Sequence, residues 1–355
     1  MRRVVSAILL LLAAWSPALA QEMVWSIDFQ SVFNNREGGD EMRPDQTFLF
    51  TRLSPEVGVN LSADPKSSHL LKGGISWYEP LNDQGHGYKV VPTLYYQYRG
   101  DTTWQATVGT LPRTLLMTRA PRYLWSDSLD YQQPNIRGVM ARYSHGTSYV
   151  ETYLDWRQMQ SENRREAFNF DLNGKWYPAH HSVWLGGYFQ YSHLAKRKNA
   201  PESEGVNDDL TINPMLGGQW GVAKVAMGAI VNRERARVDE QWLTAAGFVA
   251  NANLRWRFLE AEQNIYTGKD LFPLYPRFGS LLNLGDTYYR DKFYSRTDLI
   301  AHIVKNRLID LNASLTLHAT NKTTGFWQQI SCRVYIDSSY RKTSRHANSH
   351  PTVRD

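Results

Sequence analysis

The segment RLIDLNASLTLHA at residues 307–319 divides into two chemically different faces when the chain is extended. Successive side chains of a β-strand point to opposite sides, so alternate residues form separate rows. One row is apolar and contains Ile309, Leu311, Ala313, Leu315, Leu317 and Ala319. The other row is largely polar and contains Leu308, Asp310, Asn312, Ser314, Thr316 and His318. Such a strand separates two solvents, and this property constrains the fold more than any other feature.

The same alternation recurs in segments of about ten residues along most of the chain, which predicts about sixteen strands, within about two. The predicted strands cover residues 24–33, 47–61, 70–78, 89–98, 103–110, 136–143, 149–157, 168–176, 183–191, 210–219, 222–231, 242–251, 258–266, 293–303, 308–319 and 326–336. We therefore expect an all-β chain.

The lengths of the connections indicate how these strands are arranged. Long connections follow odd-numbered strands, at residues 34–46, 111–134, 195–209, 232–241 and 267–291. Short ones follow even-numbered strands, at residues 100–101, 144–147, 178–182, 220–221 and 305–306. Outer-membrane barrels have short periplasmic turns and long extracellular loops. The pattern predicts a transmembrane antiparallel β-barrel of about 16 strands (about 14–18) that is integral in the bacterial outer membrane.

The N-terminus carries the signals of an exported protein. Arg2 and Arg3 precede an apolar run at residues 4–14, and Ala18-Leu19-Ala20 has the small-x-small pattern of a cleavage site. We expect a cleaved signal peptide at residues 1–20, a single barrel domain at 21–337 and a disordered polar tail at 338–355.

Several other classes of protein are disfavoured. No later apolar run is long enough for a transmembrane helix, and the single Cys332 cannot form an internal disulfide. The net charge is +6, but most basic residues are scattered or lie beside acids, so we expect no nucleic-acid partner. Spacings typical of metal ligands, phosphate-binding loops or dinucleotide sites do not occur, so no cofactor or metal is predicted.

The connection LPRTLLMTRAPRYLWSDSLDYQQP at residues 111–134 follows the fifth strand and is long, charged and aromatic. In this and in its strand and loop pattern, the chain resembles the outer-membrane porin family, whose members fold this loop into the lumen as a constriction. The resemblance implies a basic edge of Arg113, Arg119 and Arg122 and an acidic edge of Asp127 and Asp130. The alternative is that the loop caps the extracellular mouth or packs on a neighbouring subunit.

The polar rows of the predicted strands supply the wall of the lumen, which we expect to be hydrated rather than a packed apolar core. The lumen-lining residues are Arg142, Glu151, Asp155, Arg157, Lys175, Glu260, Glu262, Arg296, Asp298, Asp310 and Arg333.

These features favour a porin through which small hydrophilic solutes diffuse passively. The expected partners are outer-membrane lipids, the solutes and the barrel-assembly machinery, and the resemblance also implies a homotrimer. A non-conducting barrel in secretion or surface attachment is the alternative. An outer-membrane enzyme ranks third, because His302 and His318 lie on the lumen-facing rows, where a lipid would not reach. We therefore predict that the protein is not an enzyme.

Overall fold

A computed structural model describes residues 20–62, 66–81, 87–101, 103–178 and 182–339. Within these residues sixteen strands form one closed antiparallel barrel. The strands are β1 (Ala20–Glu37), β2 (Gln46–Ser62), β3 (Ser67–Leu81), β4 (Lys89–Gly100), β5 (Trp104–Pro112), β6 (Asn135–His145), β7 (Ser148–Gln158), β8 (Ala167–Trp176), β9 (Val183–Leu194), β10 (Asn207–Trp220), β11 (Ala223–Ala236), β12 (Leu243–Trp256), β13 (Leu259–Gly268), β14 (Phe293–Lys305), β15 (Ile309–Thr320) and β16 (Thr324–Asp337).

The barrel closes because β1 pairs with β16 on one side and with β2 on the other. Ile27, for example, lies opposite Ile336 and opposite Pro55 in the two ladders. Closure leaves no unpaired sheet edge, as a membrane requires. The all-β fold and the strand number predicted from the sequence are confirmed. The predicted signal peptide lies almost wholly outside the described residues, as do residues 340–355 of the predicted tail.

Short helical turns occur in the connections. Helices α1 (Asp127–Gln132) and α2 (Tyr275–Phe278) lie in the two longest loops, and 3-10 turns occupy Arg113–Leu115, Glu202–Glu204, Arg237–Asp239, Gly279–Leu281 and Thr287–Arg290. In the part of the chain that the structure describes, every helix is too short or too polar to cross a membrane.

The two rows of β15 meet different surroundings, as their chemistry predicts. Leu315 and Leu317 are about half exposed on the barrel exterior, whereas Thr316 and His318 are buried inside. The same exterior belt includes Leu185, Ile212 and Met227, each nearly half exposed. An apolar belt on a closed barrel is the surface that faces lipid acyl chains.

Two loops turn inward and fill part of the lumen, and we call residues 113–134 and 269–292 the inward loops. Tyr123 of the first packs edge-on against Tyr289 of the second, with ring centroids 5.5 Å apart. Tyr266 and Tyr294 project from the wall into the same cluster. The expectation of a lumen without an apolar core is therefore wrong for this region, because aromatic loop residues bury one another against inward-facing tyrosines.

Several strands extend beyond their predicted ends. β11 continues to Ala236 and β9 to Leu194, whereas the hydrophobic alternation ends at Val231 and Tyr191. In these extensions, hydrogen bonding between strands continues above the apolar belt. Polar residues on the outer face at this height lie beside lipid headgroups instead of acyl chains.

Candidate functional sites inside the barrel and on its outer face

Asp127, at the start of α1, is the centre of a buried charge network inside the barrel. Its carboxylate accepts from Arg296 at 2.6 Å and from Arg119 at 2.5 Å, and Arg122 lies 3.4 Å away. Burial alone would raise the pKa of Asp127, but the charges of Arg296, Arg122 and Arg119 outweigh burial and hold this pKa well below its usual value. The network fixes the first inward loop to the wall of β14.

Four of the five residues predicted for a constriction, Arg119, Arg122, Asp127 and Asp130, lie in this network, whereas Arg113 pairs with a different acid. Arg119 also pairs with Asp130 at 2.6 Å. Arg113 forms an ion pair with Asp155 and stacks over Trp125 at 3.6 Å. Basic and acidic residues therefore pair with one another instead of forming two opposed edges. Their role in selectivity stays a prediction.

The predicted lumen-lining residues face the interior, and most of them are paired there. The pairs are Arg142–Glu151 at 3.4 Å, Arg296–Asp298 at 2.8 Å, Arg333–Asp28 at 2.6 Å, Glu260–His302 at 2.7 Å, Asp310–His302 at 3.9 Å and Glu262–Arg122 at 4.0 Å. Arg157 donates to the carbonyl of Leu281 at 2.6 Å, and Lys175 lies 4.8 Å from the centroid of the Trp184 ring. Interior charges therefore hold the inward loops as well as line the lumen.

A polar cavity of about 320 Å³ lies at the extracellular mouth between the inward loops and the β1–β2 connection. Arg36, Ser128 and Asp286 are among the residues that line it. Burial, followed by the charge of Asp127, raises the pKa of Asp286. The cavity combines both charge signs and does not contain a histidine.

A second cluster lies on the opposite side of the wall, at the extracellular ends of β9 and β10. Ser192 and Asp209 are buried toward the interior, so the adjacent residues His193 and Asp208 project outward. The two are opposite one another in the ladder, and His193 Nδ1 lies 2.9 Å from Asp208 Oδ1. We call this pair the outer-face dyad.

Hydrogen bonds orient the dyad. An ionised carboxylate can only accept, so His193 Nδ1 donates, and in the neutral imidazole Nε2 then carries the lone pair. Asp208 also accepts from the Tyr191 hydroxyl at 2.8 Å, from Arg237 Nε at 2.9 Å and from Arg235 Nη2 at 3.2 Å. A histidine oriented in this way by a carboxylate can act as a general base.

The surroundings of the dyad match the boundary between headgroups and acyl chains. Phe168 stacks on the His193 ring with centroids 4.9 Å apart, and Trp156 stacks on Phe168 at 5.4 Å. Below Asp208, the outward residues Leu210 and Ile212 continue into the apolar belt. Aromatic rings favour the interfacial level, so the dyad lies just above the hydrocarbon layer.

Three arginines extend the cluster along β11 and the turn after it. Arg233 and Arg235 alternate with the buried residues Asn232 and Glu234, which places both guanidinium groups on the outer face. Both stack on the ring of Trp242, with Cζ atoms 4.9 and 4.5 Å from its centroid. Together with Arg237 they form what we call the arginine row.

The sequence reading missed the dyad and the arginine row. It ended the strands where apolar alternation ended, so His193 and Arg233 became loop residues. A signal was nevertheless present, since Arg233 and Arg235 continue the outward row of Met227, Ala229 and Val231 without a break. Charged side chains that continue a lipid-facing row beyond its apolar part indicate the level of the lipid headgroups.

A family model described as lipid A 3'-O-deacylase-type matches residues 15–335, which is most of the chain. The chain belongs to the lipid A 3'-O-deacylase-type family. This membership corrects the prediction that the protein is not an enzyme. The prediction rested on the lumen-facing positions of His302 and His318, which do not decide whether other residues of the chain form an active site.

Solved structures similar to this deacylase-type chain are outer-membrane porins. They include an anion-selective porin from Comamonas acidovorans, with a TM-score of 0.54, 9% identity and coverage of 90% of this chain and 100% of the porin. A loop L8 deletion mutant of OmpT from Vibrio cholerae has a TM-score of 0.53, 9% identity and coverage of 89% and 100%. OprD from Pseudomonas aeruginosa has a TM-score of 0.51, 9% identity and coverage of 89% and 96%.

At these identities the likeness concerns the fold. It confirms a porin-like, integral barrel of the outer-membrane type. No curated protein sequence matches the chain significantly.

Proposed function

We propose that the protein hydrolyses an ester-linked acyl chain of a lipid A-type glycolipid in the outer leaflet, with His193 as the general base. Family membership supports deacylation as the reaction. The observation that carries the proposal is the outer-face dyad, in which His193 Nδ1 lies 2.9 Å from Asp208 directly above the apolar belt. Acyl ester bonds of membrane lipids lie at this level.

The reaction needs one water molecule and no group beyond the dyad for proton transfer. His193 Nε2 takes a proton from water while the water oxygen forms a bond to the ester carbonyl carbon. The resulting tetrahedral intermediate collapses, and the bond from carbon to the sugar oxygen breaks. The imidazolium returns its proton to that oxygen, which leaves an alcohol on the lipid and a free fatty acid.

Asp208 is a positioning residue in this scheme. It keeps the Nδ1 proton in place and stabilises the imidazolium that forms in the transition state, as carboxylates do in catalytic triads. Its own orientation is fixed by Tyr191 and by two arginines. The dyad is therefore held by contacts from three successive strands and the following turn.

His193→Gln tests the proposal. The purified full chain, in detergent micelles containing lipid A, should release fatty acid that mass spectrometry detects, and the variant should lose about 10²- to 10⁴-fold in rate because proton transfer is lost. Asp208→Asn should reduce kcat more than it changes KM.

His69→Gln is a matched control. His69 lies near the periplasmic end of β3 and is bonded to the Tyr96 hydroxyl at 2.7 Å in an exposed contact. Among the described residues it pairs with no carboxylate. Its replacement should leave the rate unchanged. Equal rates for wild type and His193→Gln, with correct folding shown by heat-modifiable migration, would refute the proposal.

Passive diffusion of small hydrophilic solutes is a second candidate function, compatible with the first. It is favoured by the solvent access of charged groups inside the barrel: the side chain of Arg119 is 46% exposed and that of Glu262 is 30% exposed. Water therefore reaches beside the first inward loop. Stepwise conductance in planar bilayers is expected from such a path, and its absence in correctly folded protein argues against it.

A further inference from the structure

We propose that the arginine row binds the phosphate monoester of a lipid headgroup. This inference deepens, and rests on, the proposed action on an outer-leaflet lipid, because it specifies the headgroup that the site accepts. The site comprises Arg233 and Arg235 on β11, Arg237 in the following turn, and the ring of Trp242.

The first argument is charge. Arg235 and Arg237 share one carboxylate, Asp208, which is almost fully buried. Arg233 is exposed, and among the described residues it stacks on the Trp242 ring and pairs with no acid. One carboxylate carries a single negative charge, which cannot balance the three guanidinium groups of the row. The row therefore keeps positive charge available on the outer face.

The second argument is geometry. A guanidinium presents its N–H donors in a planar fork that matches two oxygens of a phosphate. Stacking on Trp242 orients the forks of Arg233 and Arg235 and lowers the entropy lost when an anion binds. The phosphate monoester offers three terminal oxygens, enough to engage both forks.

The third argument is depth. Val231 directly precedes the row on the outward face and is 38% exposed, and Ile212 on β10 is 45% exposed. A ligand bound by the arginines thus has apolar wall beneath it, where acyl chains can lie. Free phosphate would gain only the charged contacts with the arginines. A lipid phosphate also gains apolar contacts between its acyl chains and the wall. The occupant is therefore a lipid phosphate.

Binding can be measured without hydrolysis. Dihexanoyl phosphatidic acid is titrated into the purified full chain in nonionic detergent by calorimetry, with dihexanoyl phosphatidylcholine and inorganic phosphate as comparison probes. Phosphatidic acid should bind at least about tenfold more tightly than either, since only it combines a phosphate monoester with acyl chains. Inorganic phosphate that binds as tightly as phosphatidic acid would overturn the lipid assignment.

Arg233→Gln is the deciding variant, because in the part of the chain that the structure describes Asp208 is bonded by Arg235 and Arg237 and not by Arg233. It should weaken phosphatidic acid binding about tenfold or more. Arg257→Gln is the matched control, since Arg257 also stacks on a tryptophan, Trp256 at 4.8 Å, but in the β12–β13 turn at the periplasmic end. Equal affinities for Arg233→Gln and wild type would refute the site, as would an equal loss in Arg257→Gln.

The two proposals fail separately. His193→Gln should bind phosphatidic acid as wild type does while losing hydrolysis. If hydrolysis of lipid A does not depend on His193, the proposed function fails whatever the arginines bind. If hydrolysis does depend on His193 and Arg233→Gln binds normally, only the headgroup inference fails.

Discussion

At the scale of single residues, Asp127 and Asp286 show how position decides whether the pKa of a buried carboxylate is lowered or raised. Both are buried carboxylates of the inward loops. Arginines surround Asp127 and lower its pKa, whereas burial and the nearby Asp127 raise the pKa of Asp286. Ionised Asp127 therefore stabilises the fold, and ionised Asp286 costs free energy at neutral pH.

The two amide variants should change stability in opposite directions. Asp127→Asn should lower the free energy of unfolding at pH 7 by about 3 kcal/mol, because the buried Arg296 loses one of its charged partners. Asp286→Asn should leave it unchanged or raise it by up to about 1 kcal/mol, because the amide oxygen can still accept from the Tyr288 N–H. Urea unfolding followed by fluorescence measures both.

The pH dependence follows from the same shifts. Because the folded pKa of Asp127 is depressed, its stabilisation is complete above the unfolded value of about 3.8 and is lost only as pH falls through the lower folded pKa. The cost from Asp286 is present above its raised pKa and decreases as pH falls. If both variants destabilise the protein equally, this electrostatic account is contradicted.

At the scale of elements, the second inward loop is tied to the wall by a few buried polar contacts. Asn283 donates to Asp209 at 3.0 Å and to Glu234 at 2.5 Å, and the Leu274 N–H donates to Glu234 at 2.7 Å. Phe272 and Tyr289 complete the contact with apolar packing. The loop is therefore an internal plug on one side of the lumen.

Replacing residues 271–286 with a short Gly-Ser linker should increase single-channel conductance in planar bilayers, because it removes the plug. A matched deletion within residues 197–204, in the loop after β9, should leave conductance unchanged. That loop contacts Arg165 and Gln160 near the rim. If both deletions give the wild-type conductance while heat-modifiable migration is retained, the plug assignment is contradicted.

Sequence predicted the elements well where the solvent on each side of the strand dictated residue type. β15 is an example, since its alternation alone gave its position to within a residue or two. It failed above the apolar belt, where the outward rows of β9 and β11 become charged or polar, so a search for apolar alternation ended the strands too early. The packing of residues 271–289 in the lumen could not be predicted either, because it depends on contacts with distant strands.

At the scale of the whole molecule, the barrel separates two environments for charge. Interior charges such as Arg296 and Asp298 pair in the lumen and hold the inward loops. Exterior charges above the apolar belt include His193, Asp208 and the arginine row. The sequence analysis named the charged residues of the interior individually, but it missed those of the exterior. The homotrimer implied by the porin resemblance stays a prediction.

The central claim is that His193 acts as a base on the outer face, and chemical rescue tests it most directly. His193→Gly leaves a gap beside the stacked Phe168 ring, and the side chain that it removes is 17% exposed, so imidazole can enter the gap. Added imidazole should restore fatty acid release from lipid A by this variant in a concentration-dependent manner, and should not alter the rate of His69→Gly. A folded, lipid-binding His193→Gly protein that imidazole does not rescue, or one that is as active as wild type without it, would contradict the claim.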